Sequence, residues 1–298
     1  MGRYALVLHG GAGARRSRDY SREAPHMKGL AEAARDRLAA GASALDVAVE
    51  TVVALEDSGL YVAGRGASPN LAGDYELDAS LMAGDGRRPG AVAALKGFRN
   101  PILAARAVME HTPHVMLAGD GAARFAADQG LDPITDPAAW FTGAGLGEDN
   151  HPPGTLAHGT VGCVVLDLQG RLAAATSTAG VFGKLPGRVG DTPIPAAGTW
   201  ADDHVAASGT GQGEYFMRVA ATAQVAWRVA GGQTLEAATR AVIDEIGSLG
   251  GDGGLIAVDH GGRIAMPYNS QGMKRAWVSP SGDVGAAVFD EGPTFLES

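Results

Sequence analysis

Apolar and polar positions alternate or recur along this chain in stretches of two kinds. "YALVL" (Tyr4–Leu8) is a short continuous apolar run closed by glycines and reads as a first buried strand ending in a glycine turn. "GLAEAARDRLAAG" is alanine-rich and predicts a helix stopping at Gly41. "SALDVAVETVVALEDSG" opens with Ser43 and Asp46 at capping-box spacing, and Leu45, Val49, Val52 and Val53 follow a helical period. "ELDASLMAGDG" and "PGAVAALKGF" read as paired strands turned near Asp85–Gly86. Two helices follow in "NPILAARAVMEHTPHVMLAGDGAARFAADQG", with Pro101 near the start of the first.

Regularity is lost from Thr135 to Gly159, where prolines, glycines and acidic residues crowd together as a linker. Strands resume in "TVGCVVLDLQGRLAAATST", a hairpin turned at Gln169–Gly170. "TGQGEYFMRVAATAQVAWRVAGG" and "TLEAATRAVIDEIGSLGG" predict helices, "GGLIAVDHGGRIAMPYN" a second hairpin, and "RAWVSPSGDVGAAVF" a last pair of strands. Hairpins imply antiparallel pairing, because parallel strands need long crossovers. The expected class is α+β, with helices on the outer faces of antiparallel sheets.

Composition narrows this picture. The 298 residues are 45% hydrophobic, enough for a substantial core. Forty-five glycines, scattered without period, point to many tight turns and close backbone approaches. A net charge of −9 argues against nucleic acid or an anionic membrane as partner. The single cysteine, Cys163, excludes an internal disulfide and suits a reducing compartment. The first apolar run is too short for a secretory signal, and no run approaches the roughly 18 residues that cross a bilayer. A soluble, cytoplasmic protein is expected.

Four polar clusters in the second half could carry chemistry. Thr160 stands in "HGTVG" at the lip of a strand. A threonine hydroxyl needs a base, and cleavage of the Gly159–Thr160 bond would supply one as the threonine's own α-amine, with pKa near ~8. Alternatively the motif is a loop entering a sheet. "ATSTAG" brings Thr176, Ser177 and Thr178 to a strand end, for turn bonding or to orient a nucleophile. In "KLPGRVGDTPIPAAG", Arg188 and Asp191 stand three apart, either as a surface ion pair or as a clamp for a carboxylate and an ammonium. "SGTGQGEYF" is a glycine-rich turn opening a helix, suited to an anion or oxyanion but without the lysine of a phosphate loop. Cys163 reads as a small buried hydrophobe, and His9 with "GGAG" as an active-site turn or a structural one.

Together with "HGGAG", "ELDASLMAG", "RNPILAARAVME" and "GGLIAVDHGGRIAMPYNSQGM", these clusters span almost the whole chain. Their order and spacing resemble the plant-type L-asparaginases, or isoaspartyl (β-aspartyl) peptidases, of the N-terminal nucleophile hydrolases. The resemblance implies a single domain, 1–298, folded as a four-layer αββα sandwich and self-cleaved into an α chain, 1–159, and a β chain, 160–298. Residues 135–159 would be a flexible linker, and two αβ units would pair as a homodimer. Thr160 becomes the nucleophile, Thr178 its hydrogen-bonding partner, and Thr210 and Gly211 the oxyanion hole. Arg188 would hold the substrate α-carboxylate and Asp191 its α-amino group, beside Gly211. No cofactor is implied beyond a sodium ion on the backbone carbonyls of Leu55, Glu56, Ser58, Tyr61, Ala63 and Arg65. The implied reaction is hydrolysis of β-aspartyl dipeptides and L-asparagine, with a glycosylasparaginase-like amidase as the neighbouring alternative. One departure stands out: where the family commonly reads N-A-G-x-G, this chain reads "VAGRG", with Val62 at the asparagine's place. A poorly active binding homologue weakened by Val62 is the other alternative.

Overall fold

The computed structural model describes residues 3–143 and 159–297. Most of the anticipated linker therefore lies outside the described residues. The part within them includes a short helix, Pro137–Trp140, whose first turn is capped by the Asp136 side chain.

The first half runs β1 (Ala5–Ala12), α1 (Glu23–Ala39), α2 (Ala44–Ser58), β2 (Leu77–Ala83), β3 (Arg88–Leu95), α3 (Pro101–His111), β4 (Met116–Ala118), α4 (Gly119–Asp128) and the short α5 (Pro137–Trp140). The second half runs β5 (Val161–Leu166), β6 (Leu172–Thr178), β7 (Thr199–Ala201), β8 (Val205–Gly211), α6 (Gly213–Val219), α7 (Ala221–Ala230), α8 (Leu235–Ser248), β9 (Gly253–Asp259), β10 (Ile264–Ala265), β11 (Met273–Val278), β12 (Val284–Ala287) and β13 (Phe295–Leu296).

One sheet of eight strands has the order β12-β11-β1-β5-β6-β2-β3-β4, and a second of five has the order β13-β10-β9-β8-β7. The pairs are antiparallel except β3–β4. That parallel edge strand went unread in the sequence. Three residues are too few to show a period, and β4 joins the sheet edge by pairing with β3.

Alternation along β1 explains how the layers meet. Leu6 and Leu8 point into an apolar cluster shared with Leu38, Val52 and Ile102 of the helices α1 to α3. Ala5 and Val7 point the other way, into a cluster with Ile256 and Val258 of the second sheet. A third cluster joins Leu255 and Ala257 to Val225, Val242 and Ile243 of α7 and α8. Helices therefore cover an outward face of each sheet, and the two sheets face one another.

Local signals set most of the boundaries. Ser43 caps α2 by accepting the Asp46 N–H at 3.1 Å, as the capping-box spacing anticipates. Pro101 begins α3, and Gly41 follows α1 with a positive φ of 89°. Three expectations are corrected. β1 does not stop before its glycines but continues to Ala12, with its register against β11 shifted between His9 and Ala12. "SGTG" is the end of β8 rather than a turn, so Thr210 and Gly211 sit on a sheet. The helix after it is broken at Ala220, which takes a left-handed φ of 49° and divides α6 from α7.

Candidate active site

Strand register brings a group of hydroxyls to one end of the inter-sheet layer. His9 pairs with Gly162 across β1–β5, Gly162 with Thr176 across β5–β6, and Asp78 with Thr178 across β2–β6. Thr160 immediately precedes β5 and is buried. Its Oγ1 donates to Thr178 Oγ1 at 3.1 Å. Thr178 Oγ1 also accepts the Gly180 N–H at 3.0 Å, which fixes the direction of its lone pairs. The two threonines that the sequence marked are thus in contact.

His9 is a buried member of the same group. Its Nδ1 lies 3.0 Å from the Thr160 carbonyl oxygen and its Nε2 3.0 Å from Ser208 Oγ. A carbonyl only accepts, so Nδ1 carries the proton and Nε2 accepts from Ser208. Ser208 then accepts from Thr176 at 2.8 Å, and Thr176 from Thr199 at 2.6 Å. Ser80 continues the chain, 2.7 Å from Thr199. Burial pushes the His9 pKa down to about 3, so the ring is neutral at ordinary pH. A directed row of hydroxyls therefore ends, through His9, on the Thr160 carbonyl. Neither turn reading of His9 describes it: the residue lies within β1, where it touches Thr160 and Ser208.

Three close approaches surround Gly159. A Cβ built there would lie 2.1 Å from Val62 Cγ2 and 2.2 Å from Val62 Cβ. Across from it, a Cβ on Gly11 would lie 3.0 Å from the Gly159 Cα, and Gly11 has a positive φ of 103°. Gly159 is therefore clamped between the Val62 isopropyl group and the Gly11 backbone. The next residue, Ala12, donates its N–H to Thr210 Oγ1 at 3.1 Å. Accepting that bond orients the Thr210 hydroxyl and leaves its proton to donate elsewhere. Gly211 follows Thr210 at the strand end with φ 154°. Gly162 has no room either: a Cβ would lie 2.2 Å from Ser208 Oγ and 2.5 Å from His9 Nε2.

Charged groups gather beside these hydroxyls. Arg188 and Asp191 do not pair with each other. Instead the Arg188 guanidinium makes a forked contact with Glu214, Nε at 3.0 Å and Nη2 at 2.9 Å. Glu214 lies in the first turn of α6 inside "SGTGQGEYF", and the sequence reading gave it no role. Asp191 is buried, and its Oδ2 has no hydrogen-bond partner among the described residues. Burial pushes its pKa up to about 7, against the opposing pull of Arg188. A buried carboxylate with an open oxygen beside a guanidinium suits a ligand carrying both an ammonium and a carboxylate. Lys184 and Arg188 both approach Gly180: a Cβ there would lie 3.1 Å from Lys184 Nζ and 3.2 Å from Arg188 Nη1.

The anticipated carbonyl loop is also compact. Gly64 has φ 51°, and a Cβ on it would lie 2.8 Å from the Glu56 carbonyl oxygen; one on Gly66 would lie 1.9 Å from that of Tyr61. Glycines thus let the loop 61–66 fold back onto the C-terminal turn of α2, where helix carbonyls lack partners. Leu55 O accepts from Ser58 Oγ, and the carbonyls of Tyr61, Ala63 and Arg65 each accept one N–H. Each keeps a second lone pair. The Glu56 side chain has a separate place that sequence reading missed. Fully buried, it accepts from Ser177 Oγ at 2.6 Å, Asn100 Nδ2 at 3.0 Å and the Ile102 N–H at 3.2 Å. Burial raises its pKa to about 8. It ties β6, one residue from Thr178, to the start of α3.

Comparison with known proteins places the chain as a whole. The family profile described as asparaginase matches residues 2–286. An isoaspartyl peptidase of Escherichia coli is 44% identical, the alignment covering 93% of each chain. A plant-type L-asparaginase of Pyrobaculum calidifontis is 40% identical, over 95% of this chain and 99% of its own. An isoaspartyl peptidase/L-asparaginase of Bos taurus is 38% identical, over 90% and 91%. Across nearly its whole length, then, the chain belongs to the asparaginase family.

Proposed function

We propose that the chain cuts itself between Gly159 and Thr160 and then hydrolyses β-aspartyl dipeptides and L-asparagine. The observation that carries this reading is the buried contact of Thr160 Oγ1 with Thr178 at a residue whose preceding glycine is clamped by Val62 and Gly11. Cleavage leaves an α chain, 1–159, and a β chain, 160–298, within one four-layer αββα sandwich. Two facing sheets with helices on their outward faces support that stacking. Two such units pair as a homodimer.

The freed Thr160 α-amine, with pKa near ~8, accepts the hydroxyl proton as Oγ1 attacks the substrate's side-chain carbonyl. Thr178 holds the attacking oxygen in place. Thr210, oriented by Ala12, donates to the oxyanion together with the Gly211 N–H. The amine passes its proton to the departing nitrogen, and water then hydrolyses the aspartyl ester. Arg188 grips the α-carboxylate and Asp191 the α-ammonium. The substrate carboxylate must take the place of Glu214 on the guanidinium, so part of the binding free energy is spent on that exchange. A sodium ion would be held by the carbonyls of Leu55, Glu56, Ser58, Tyr61, Ala63 and Arg65. It would hold in shape the segment that carries Val62.

The test is release of aspartate from a β-aspartyl dipeptide and from L-asparagine by the purified protein. Hydrolysis by the wild type and its loss, by at least ~10³-fold, in Thr160→Ala is expected. A Thr160→Ala protein that remains cleaved and active would remove Thr160 from the mechanism.

A further inference from the structure

We propose that Val62 is the wall of a leaving-group subsite that selects β-aspartyl dipeptides whose second residue is apolar; this rests on the hydrolase reading above. The Val62 side chain touches Gly159, on the acyl side of the bond to be cut. It is only 4% exposed and packs with Ala67, Leu77 and Ala179, with Tyr75 and Phe141 against them. The Val62 carbonyl accepts the Ala179 N–H at 2.9 Å, one residue beyond Thr178, so this wall is fixed relative to the nucleophile's partner. Tyr75 and Phe141 stack with ring centroids 3.7 Å apart. Both line a cavity of about 210 Å³, together with Gly73, Lys96, Ile134 and Pro137. An apolar cluster therefore runs from Val62, at the cut bond, to one side of that cavity, whose other side carries Lys96 and its ion-pair partner Asp74.

Cleavage turns this wall toward substrate. Breaking the Gly159–Thr160 bond frees the α-amine and opens the slot that Gly159 fills between Val62 and Gly11. In the acyl-transfer step, Thr160 Oγ1 bonds to the acyl carbon and the acyl C–N bond breaks. The hydroxyl proton passes through the α-amine to the departing nitrogen. The leaving group must then sit against that amine, on the side where Gly159 was. An apolar side chain there gains contact with the Val62 methyls, whereas ammonia gains nothing from them.

The experiment measures kcat/KM of the cleaved wild type for β-aspartyl dipeptides ending in glycine, alanine, leucine, phenylalanine, serine and lysine, and for L-asparagine. A rise of roughly tenfold or more from the glycine to the leucine peptide is expected, with asparagine no better than glycine. Val62→Asn and Val62→Ala should each shrink the leucine-to-glycine ratio several-fold, while the glycine peptide changes less. A flat series, a preference for serine or lysine, or a ratio unmoved in both variants would overturn the subsite. If a variant fails to cut, the wild-type series decides by itself. Inactivity toward every member would instead refute the hydrolase reading, and the subsite with it.

Discussion

At Asp191 the free protein holds a carboxyl that burial raises to about 7, with one oxygen unpartnered among the described residues. Only the ionised form can take an ammonium, so binding requires the proton to leave. For kcat/KM, which reports the free enzyme, activity should rise with pH through two ionisations, that of Asp191 near 7 and that of the Thr160 α-amine near ~8. The kcat profile, which reports the complex, should have the Asp191 limb at lower pH, because a bound ammonium favours the carboxylate. Identical limbs in the two profiles would place Asp191 away from the substrate. Sequence alone put Thr160, Thr178, Arg188 and Asp191 into one site, because their spacing carries the resemblance. It did not show Glu214 on Arg188. That pair joins a loop to a helix start 26 residues on, and only the packed fold brings them together.

Elements were legible where a repeating pattern or a cap decides them. The capped start of α2, Pro101 at α3 and the hairpin of β5 and β6 all follow from side chains on the spot. Tertiary packing decided the rest: the parallel edge strand β4, the break at Ala220, and the run of β1 through "HGGA" to Ala12. The glycines of these strands can be tested individually. Gly162 pairs with His9, and a Cβ there would meet two buried polar atoms. Gly162→Ala should lose about 1–3 kcal/mol in urea unfolding and slow cleavage, by pushing His9 and Ser208 apart. Gly29, exposed in α1 with nothing near its Cβ position, is the control. Gly29→Ala should gain about 0.5–1 kcal/mol. Equal effects at the two sites would mean that the close approach at Gly162 carries no energy.

Across the whole molecule, the candidate site lies where four strands, β1, β5, β6 and β8, meet from two facing sheets. His9, Thr160, Thr178, Ser208 and Thr210 come from segments up to 201 residues apart, as Ala12 to Thr210 already spans 198. No local pattern reveals such a meeting, so the hydroxyl row and the Glu56 link from β6 to α3 became visible only in three dimensions. The layered class, by contrast, was legible, since hairpins and amphipathic helices dictate which faces must be covered. The proposed function has one central consequence: Thr160 would be a nucleophile whose base does not exist until the chain is cut. The most direct measurement is the intact mass of the purified protein under denaturing conditions. The wild type should give two polypeptides, 1–159 and 160–298, the second with threonine at its N-terminus, while Thr160→Ala should remain one chain of 298 residues. A wild type that hydrolyses β-aspartyl dipeptides as a single uncut chain, or that is cut at another bond, would contradict the account.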